Sequence, residues 1–131
     1  DSNKIELANV IDKTCKISQG VVMGQGNVIC AFSHFGTEAI VGDNNFISVY
    51  NSFDHHNVLK SDISTGPGCV ASGRVVIGDC ARMGTGIFIQ PGIEIGDNAI
   101  IASGSIIIDS VSANQVVKTR SNTVIKEEVG D

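Results

Sequence analysis

A repeat of one apolar residue in every six is the feature that most constrains how this chain folds. Steps of six from residue 5 to residue 107 give eighteen positions, and seventeen of them are apolar. Because 42% of all residues are apolar, chance produces such a series with a probability on the order of 10⁻⁵. The period matches neither an α-helix nor an alternating strand. The positions are Ile5, Ile11, Ile17, Met23, Ile29, Phe35, Val41, Ile47, Phe53, Leu59, Thr65, Ala71, Ile77, Met83, Ile89, Ile95, Ile101 and Ile107.

A second period of eighteen residues is superimposed on the first. Glycine follows the repeating apolar residue at Gly24, Gly42, Gly78 and Gly96, and Lys60 fills the remaining place in this series. Eighteen residues therefore make one coil with three six-residue sides, each a short strand, joined by corners of small or turn-forming residues. Stacked coils pair in parallel at the ~4.8 Å spacing of β-strands. We predict an all-β chain that forms a parallel β-helix of about six coils.

The repeat also predicts how the chain is divided. We expect a β-helix domain at residues 1–112 and a C-terminal tail at residues 113–131, because the pattern stops after Ser110. The tail is expected to pack on the last coil as a final strand or short helix. The open ends and apolar side faces of a solenoid need cover, which predicts an assembly or caps.

The composition argues against several classes of protein. Nine basic and fourteen acidic residues give a formal net charge of −5, whereas a nucleic-acid binder needs a basic face. No apolar run approaches the ~18 residues of a membrane-spanning helix. None of the four cysteines belongs to a Cys-x-x-Cys pair, so we predict free thiols in a reducing cytoplasm.

Three asparagines are expected to stack inside the coil. Asn9, Asn27 and Asn45 each follow the repeating apolar position by four residues and lie eighteen residues apart. An amide ladder would satisfy their buried polar groups, and three unconnected turn asparagines are the alternative interpretation. Cys15 and Cys69 share another such column three coils apart, about 14 Å, which excludes a disulfide between them.

The repeat is broken most clearly at residues 51–57. His55 and His56 lie at a corner where other coils carry Gly, Asp or Ser. A histidine at a corner projects outward and exchanges a proton near neutral pH, which suits a general base. Asp54 stands beside it and is expected to orient the ring and stabilise the imidazolium. The alternative is an ordinary solvated turn histidine.

A second break covers residues 64–68. Thr65 replaces an inward apolar residue, and Ser64 is a candidate donor to a developing oxyanion, with a plain turn as the alternative. His34 is expected to be a surface or packing residue. Its distance of 21 positions from His55 does not match the coil length, so we predict no metal site from the histidines.

The repeated Ile-Gly-Asp hexapeptides resemble the left-handed parallel β-helix of the hexapeptide-repeat acyltransferases. The left hand, which is opposite to the usual crossover, comes from this resemblance. More narrowly, three stretches resemble the sugar acetyltransferases of bacterial glycan synthesis, which include sialic acid O-acetyltransferases and N-acetyltransferases of amino nucleotide sugars. The stretches are Asp54-His55-His56-Asn57-Val58-Leu59, Ser64-Thr65-Gly66-Pro67-Gly68-Cys69-Val70-Ala71-Ser72-Gly73 and Val76-Ile77-Gly78-Asp79.

The resemblance implies an activity and a set of site residues. It makes His55 the general base that deprotonates a sugar amine or hydroxyl, which then attacks the thioester of acetyl-CoA. It implies a homotrimer with active sites between the prisms. It places Gly73, Thr85 and Ser103 where the family contacts acetyl-CoA.

The chain also departs from the family pattern. His56 stands where the family has an acidic residue, so orientation of the ring is expected to fall to Asp54. Ser64 stands where a second histidine is common, and residues 118–121 replace the usual Gly-x-Pro-Ala segment. Nothing in the chain matches the N-terminal α/β subdomain that binds the nucleotide sugar in the family.

Two other functions stay open on the sequence. One is a non-catalytic β-helix that serves as the trimerisation module of a larger protein, and the other is a metal enzyme similar to the γ-type carbonic anhydrases. Thiol release from acetyl-CoA in the presence of amino sugars distinguishes the first from an acetyltransferase, and a bound-metal assay distinguishes the second. The sequence does not indicate the sugar, the acyl group, or N- against O-acylation.

Overall fold

The computed structural model describes residues 5–120 and 122–128. These residues form eighteen two-residue β-strands and no helix. The strands are β1 (Val10–Ile11), β2 (Lys16–Ile17), β3 (Val22–Met23), β4 (Val28–Ile29), β5 (His34–Phe35), β6 (Ile40–Val41), β7 (Phe46–Ile47), β8 (Ser52–Phe53), β9 (Val58–Leu59), β10 (Ser64–Thr65), β11 (Val70–Ala71), β12 (Val76–Ile77), β13 (Arg82–Met83), β14 (Phe88–Ile89), β15 (Glu94–Ile95), β16 (Ile100–Ile101), β17 (Ile106–Ile107) and β18 (Val116–Val117).

Every third strand joins the same parallel sheet, so the molecule is a three-sided prism. Sheet A has the order β1-β4-β7-β10-β13-β16-β18, sheet B the order β17-β14-β11-β8-β5-β2, and sheet C the order β15-β12-β9-β6-β3. Partners are eighteen residues apart, as Val58 and Val76 are. The predicted left-handed parallel β-helix of about six coils is confirmed.

The six-residue period arises from the two-residue strands. In each strand of the central coils the first side chain faces outward and the second faces the core, as in β16, where Ile100 is 45% exposed and Ile101 is 1% exposed. The core holds one column of such side chains per sheet, and Phe35 stacks on Phe53 at a centroid distance of 5.3 Å. The polar exception, Thr65, is accommodated because its hydroxyl accepts a hydrogen bond from the backbone N–H of Ser48 at 3.2 Å.

The glycines that follow the apolar position are required by the close approach of neighbouring coils. A Cβ on Gly42 would lie 2.5 Å from the carbonyl oxygen of Lys60, and one on Gly78 would lie 2.6 Å from the backbone nitrogen of Asp97. The left-handed position of each corner lies two residues further along the chain. Non-glycine residues often occupy it, including His56 and Arg74 with φ of 58° and 60°.

The predicted asparagine stack is present. The backbone N–H of Asn27 donates to Oδ1 of Asn9 at 2.9 Å, and that of Asn45 donates to Oδ1 of Asn27 at 2.9 Å. Each amide nitrogen donates to a corner carbonyl fifteen residues further along the chain, as Asn27 does to Gly42 at 2.8 Å. The side chains therefore satisfy both the next coil's amide and a carbonyl that the strands leave unpaired.

The C-terminal end shows a shortened coil. Val111 forms an isolated bridge with Ile95, and Val116 pairs with Ile100, sixteen residues away instead of eighteen. The division into residues 1–112 and 113–131 stays a prediction. No helix within the described ranges has the length and apolar character needed to cross a membrane.

Candidate active site

A surface cavity of about 450 Å³ lies at the corner between sheets B and C, called here the B–C corner. This corner is formed by the turns that follow β8, β11 and β14 in successive coils. A second cavity, of about 460 Å³, lies in the first coils and contains no histidine or cysteine. The B–C cavity is lined by Asp54, His55, Ser72, Gly73, Arg74, Pro91 and Gly92.

The ring of His55 lies over the next coil at Gly73. A Cβ on Gly73 would overlap Nε2 of His55 and lie 2.6 Å from its Cε1, so the ring occupies the space that any other residue there would fill. A Cβ on Gly36, in the preceding coil, would lie 2.6 Å from the backbone nitrogen of His55. Two glycines therefore determine where the corner and its imidazole can lie.

Asp54 contacts the backbone of His55. Its Oδ1 accepts a hydrogen bond from the backbone N–H of His55 at 2.7 Å. The ring of His55 instead meets His56, with the two Nδ1 atoms 3.1 Å apart. In this structure the carboxylate of Asp54 contacts the main chain and the imidazole of His56 contacts the ring, and the role of Asp54 in orienting the ring stays a prediction.

The other predicted site residues lie elsewhere on the prism. Ser64 is in β10 of sheet A, half-buried between Phe46 and Arg82 of the adjacent strands. Thr85 and Ser103 lie at the corner between sheets A and B, where the backbone N–H of Thr85 donates to the hydroxyl oxygen of Ser103 at 2.8 Å. One chain thus brings together Asp54, His55 and Gly73, and places the remaining three at other positions.

The third histidine is separate from this cavity. His34 is half-buried on the outer face of sheet B, and its Nδ1 lies 3.1 Å from the hydroxyl of Ser52. Across residues 5–120 and 122–128, no group of three or more histidine, cysteine, aspartate or glutamate side chains is placed to hold a metal ion.

Known proteins similar to this chain include two acyltransferases. Galactoside O-acetyltransferase from Escherichia coli is 30% identical over 92 residues, which cover 70% of this chain and 42% of the relative. An acyl-[acyl-carrier-protein]–UDP-N-acetylglucosamine O-acyltransferase from Sinorhizobium fredii is 30% identical over 97 residues, which cover 74% of this chain and 34% of the relative. The chain thus spans less than half the length of these curated relatives. No family model matches the chain.

Among solved structures, PerB from Caulobacter crescentus superposes with a TM-score of 0.83 at 25% identity, over 85% of this chain and 54% of that one. Its crystals contain CoA and GDP-perosamine. The chain is therefore similar to hexapeptide-repeat acyltransferases in sequence and in fold. The acetyltransferase domain of PglB from Neisseria gonorrhoeae, solved with acetyl coenzyme A, has the same fold, with a TM-score of 0.83 at 22% identity.

Three residues of this hexapeptide-repeat protein were missed as site residues by the sequence reasoning. His56 is placed at the corner by the sequence but receives no role from it, yet its ring contacts His55. Arg74, eighteen residues after His56, lies at the left-handed position of the next coil and lines the cavity. Asn57 is fully buried and donates to the carbonyl of Ser72 at 2.8 Å. The eighteen-residue period was the signal that could have found Arg74.

Proposed function

We propose that the protein transfers an acetyl group from acetyl-CoA to an amine or hydroxyl of a sugar. The observation that carries this proposal is the imidazole of His55, held over Gly73 in a cavity of about 450 Å³ on a hexapeptide-repeat β-helix. The similar proteins support the reaction class, since one acetylates galactosides by name and PerB was crystallised with CoA.

His55 is proposed as the general base. Its Nε2 accepts the proton of the acceptor amine or hydroxyl while the acceptor atom forms a bond to the thioester carbonyl carbon. The bond between that carbon and sulfur breaks, and the departing thiolate takes the proton from His55. The proton therefore ends on the thiol and the acyl group on the acceptor, and the imidazole returns to its neutral form.

Arg74 supports a negatively charged acceptor. Arg74 is exposed and lines the cavity. Within the part of the chain that the structure describes, it forms no ion pair. Arginine binds phosphate and carboxylate groups through paired hydrogen bonds. We therefore propose a nucleotide-linked sugar as the acceptor, with its phosphates near Arg74.

We propose a homotrimer whose active site lies between two copies. Within one chain, His55 is at the B–C corner, whereas Thr85 and Ser103 are at the corner between sheets A and B. A second copy would bring these corners together around an extended acetyl-CoA, with Gly73, Thr85 and Ser103 as its contacts and Ser64 as a donor to the oxyanion. Exposed apolar side chains on sheet C also favour assembly, as Val22 and Ile40 are 64% and 50% exposed.

The compartment we propose is the cytoplasm. All four cysteines are free thiols, which fits a reducing compartment. We also propose that the chain is divided into a β-helix domain at residues 1–112 and a C-terminal tail at residues 113–131.

The deciding experiment measures thiol release from acetyl-CoA with a panel of amino and hydroxyl sugars, free and nucleotide-linked. His55→Ala should lower turnover by about 10²–10⁴-fold, the usual contribution of a general base, with the oligomeric state unchanged. His34→Ala is the matched control, because His34 lies outside the cavity, and it should retain activity. Equal turnover in H55A and the native protein would overturn the role of His55. If the protein is trimeric but inactive with acetyl-CoA and every sugar of the panel, the alternative function as a trimerisation module is favoured.

A further inference from the structure

His56 carries an ionisable imidazole at the B–C corner, and the proposed mechanism does not use it. Its Nδ1 lies 3.1 Å from Nδ1 of His55, and the two rings meet edge to face, with centroids 5.3 Å apart at an interplanar angle of 82°. Neither ring has another hydrogen-bond partner among the residues that the structure describes. The contact therefore governs how protons are arranged on the pair.

A hydrogen bond between two imidazole nitrogens contains one proton. Neutral imidazole carries a hydrogen on one nitrogen and a lone pair on the other, so one Nδ1 donates and the other accepts. In the first arrangement His55 donates from Nδ1, which leaves its Nε2 with a lone pair. In the second His56 donates, and Nε2 of His55 carries a hydrogen and is unable to accept another.

Only the first arrangement is compatible with a base at His55 throughout turnover. When Nε2 of His55 takes a proton, its Nδ1–H still donates to the lone pair on His56, so the contact survives. In the second arrangement, protonation of His55 would require both nitrogens of the contact to carry hydrogens, and the bond would be lost. Arg74 lines the same cavity, and a cation there favours a lone pair over an N–H directed into it.

We propose that His56 is a positioning residue whose Nδ1 accepts the Nδ1–H of His55 and holds the tautomer with an unprotonated Nε2. This inference rests on the proposed function of His55 as a base. Asp54 does not supply the contact, because its Oδ1 is bonded to the backbone N–H of His55. A neutral imidazole here does what the family's acidic residue at this position is expected to do, without adding a negative charge.

The backbone makes His56 an informative residue to change. Its φ of 58° is strained for a bulky side chain, whereas glycine and asparagine tolerate this region. His56→Gly removes the ring, and His56→Asn places an amide oxygen near the former Nδ1. Both relieve strain, so neither is expected to unfold the protein, and thermal unfolding of each verifies this.

The primary test is nitrogen NMR of histidine-labelled protein without ligands, at alkaline pH where imidazole is neutral. His34→Gln removes the signals of the third histidine, and sequential assignment through the backbone distinguishes His55 from His56. We expect His55 to carry its hydrogen on Nδ1 and His56 on Nε2. His55 with its hydrogen on Nε2, or an even mixture of the two tautomers, would overturn the proposal.

Activity provides the second readout. H56G should lose kcat by about tenfold, the effect of one hydrogen bond, with KM unchanged, and H56N should stay within about threefold of the native enzyme because its amide oxygen accepts from Nδ1–H. H56G with native kcat and the native tautomer contradicts the inference. If no acetyl-CoA and sugar pair is turned over, the proposed function fails, and the tautomer measurement still decides the arrangement of the pair.

Discussion

At the scale of the residue, the position of the candidate base depends on a glycine in the next coil, where any side chain would collide with the ring. His55 is exposed and unconstrained by its own strand, and its ring lies where a Cβ on Gly73 would be. The sequence-based role for Gly73 was contact with acetyl-CoA, which stays a proposal. The geometry adds a separate reason for glycine, because space for the imidazole requires it.

Gly73→Ala should displace the exposed imidazole of His55 and destabilise the fold by no more than about 1 kcal/mol, because the displaced ring is the end of a flexible side chain. The check is a double-mutant cycle on the free energy of unfolding with H55A. In the H55A background the ring is gone, so Gly73→Ala should then cost little. Equal costs of Gly73→Ala in both backgrounds would mean that Gly73 does not act through His55.

The contact of His56 shows why residue identity alone was insufficient. Adjacent side chains in an extended chain point to opposite faces, so no pattern in the sequence predicts that the two rings meet. The left-handed φ of His56 redirects its Cβ, and the Nδ1 atoms then lie 3.1 Å apart. Asp54 was the expected partner because it is acidic and adjacent, and its carboxylate is instead engaged by the main chain.

At the scale of the element, two-residue strands have few contacts of their own, and the turns between them need separate support. Asn27 illustrates this, since it is fully buried, accepts from the backbone of Asn45 and donates to the carbonyl of Gly42. The later coils use Ala81 and Ala99 in this column, and their N–H groups bond weakly to Gly78 and Gly96 at 3.4 and 3.3 Å.

Asn27→Ala should lower the free energy of unfolding by about 2 kcal/mol, because it leaves a buried donor and acceptor without their partner. Asn27→Asp keeps an acceptor but buries a carboxylate against a carbonyl oxygen, so it should be more destabilising at neutral pH. Urea denaturation of both variants measures the difference. Native-like stability in either variant would show that the stack contributes nothing.

At the scale of the whole molecule, the coils form one continuous core in which side chains of successive coils lie on one another. Cys69 is fully buried in that core, and its burial raises the pKa of the thiol. Because the folded form holds the proton more tightly, this group stabilises the fold below the ordinary pKa of a thiol. That contribution is lost as pH rises from the unfolded towards the folded pKa.

Thiol labelling should therefore separate two cysteines of the same chain. Cys80 is exposed and should react with iodoacetamide in the native protein, while Cys69 should react only when the core opens. Mass spectrometry of peptides labelled with and without urea gives the comparison. Rapid labelling of Cys69 without urea would indicate that the core opens locally at that coil.

The periods of six and eighteen residues determined by themselves the architecture, the inward column and the corner that carries the histidines, because a stacked coil repeats each environment at a constant interval. The tertiary structure alone decided which groups meet at that corner. The contacts of His55 with His56 and over Gly73 depend on backbone φ and on the distance between coils. Those quantities are set by how the whole stack packs, and no local pattern of residues encodes them.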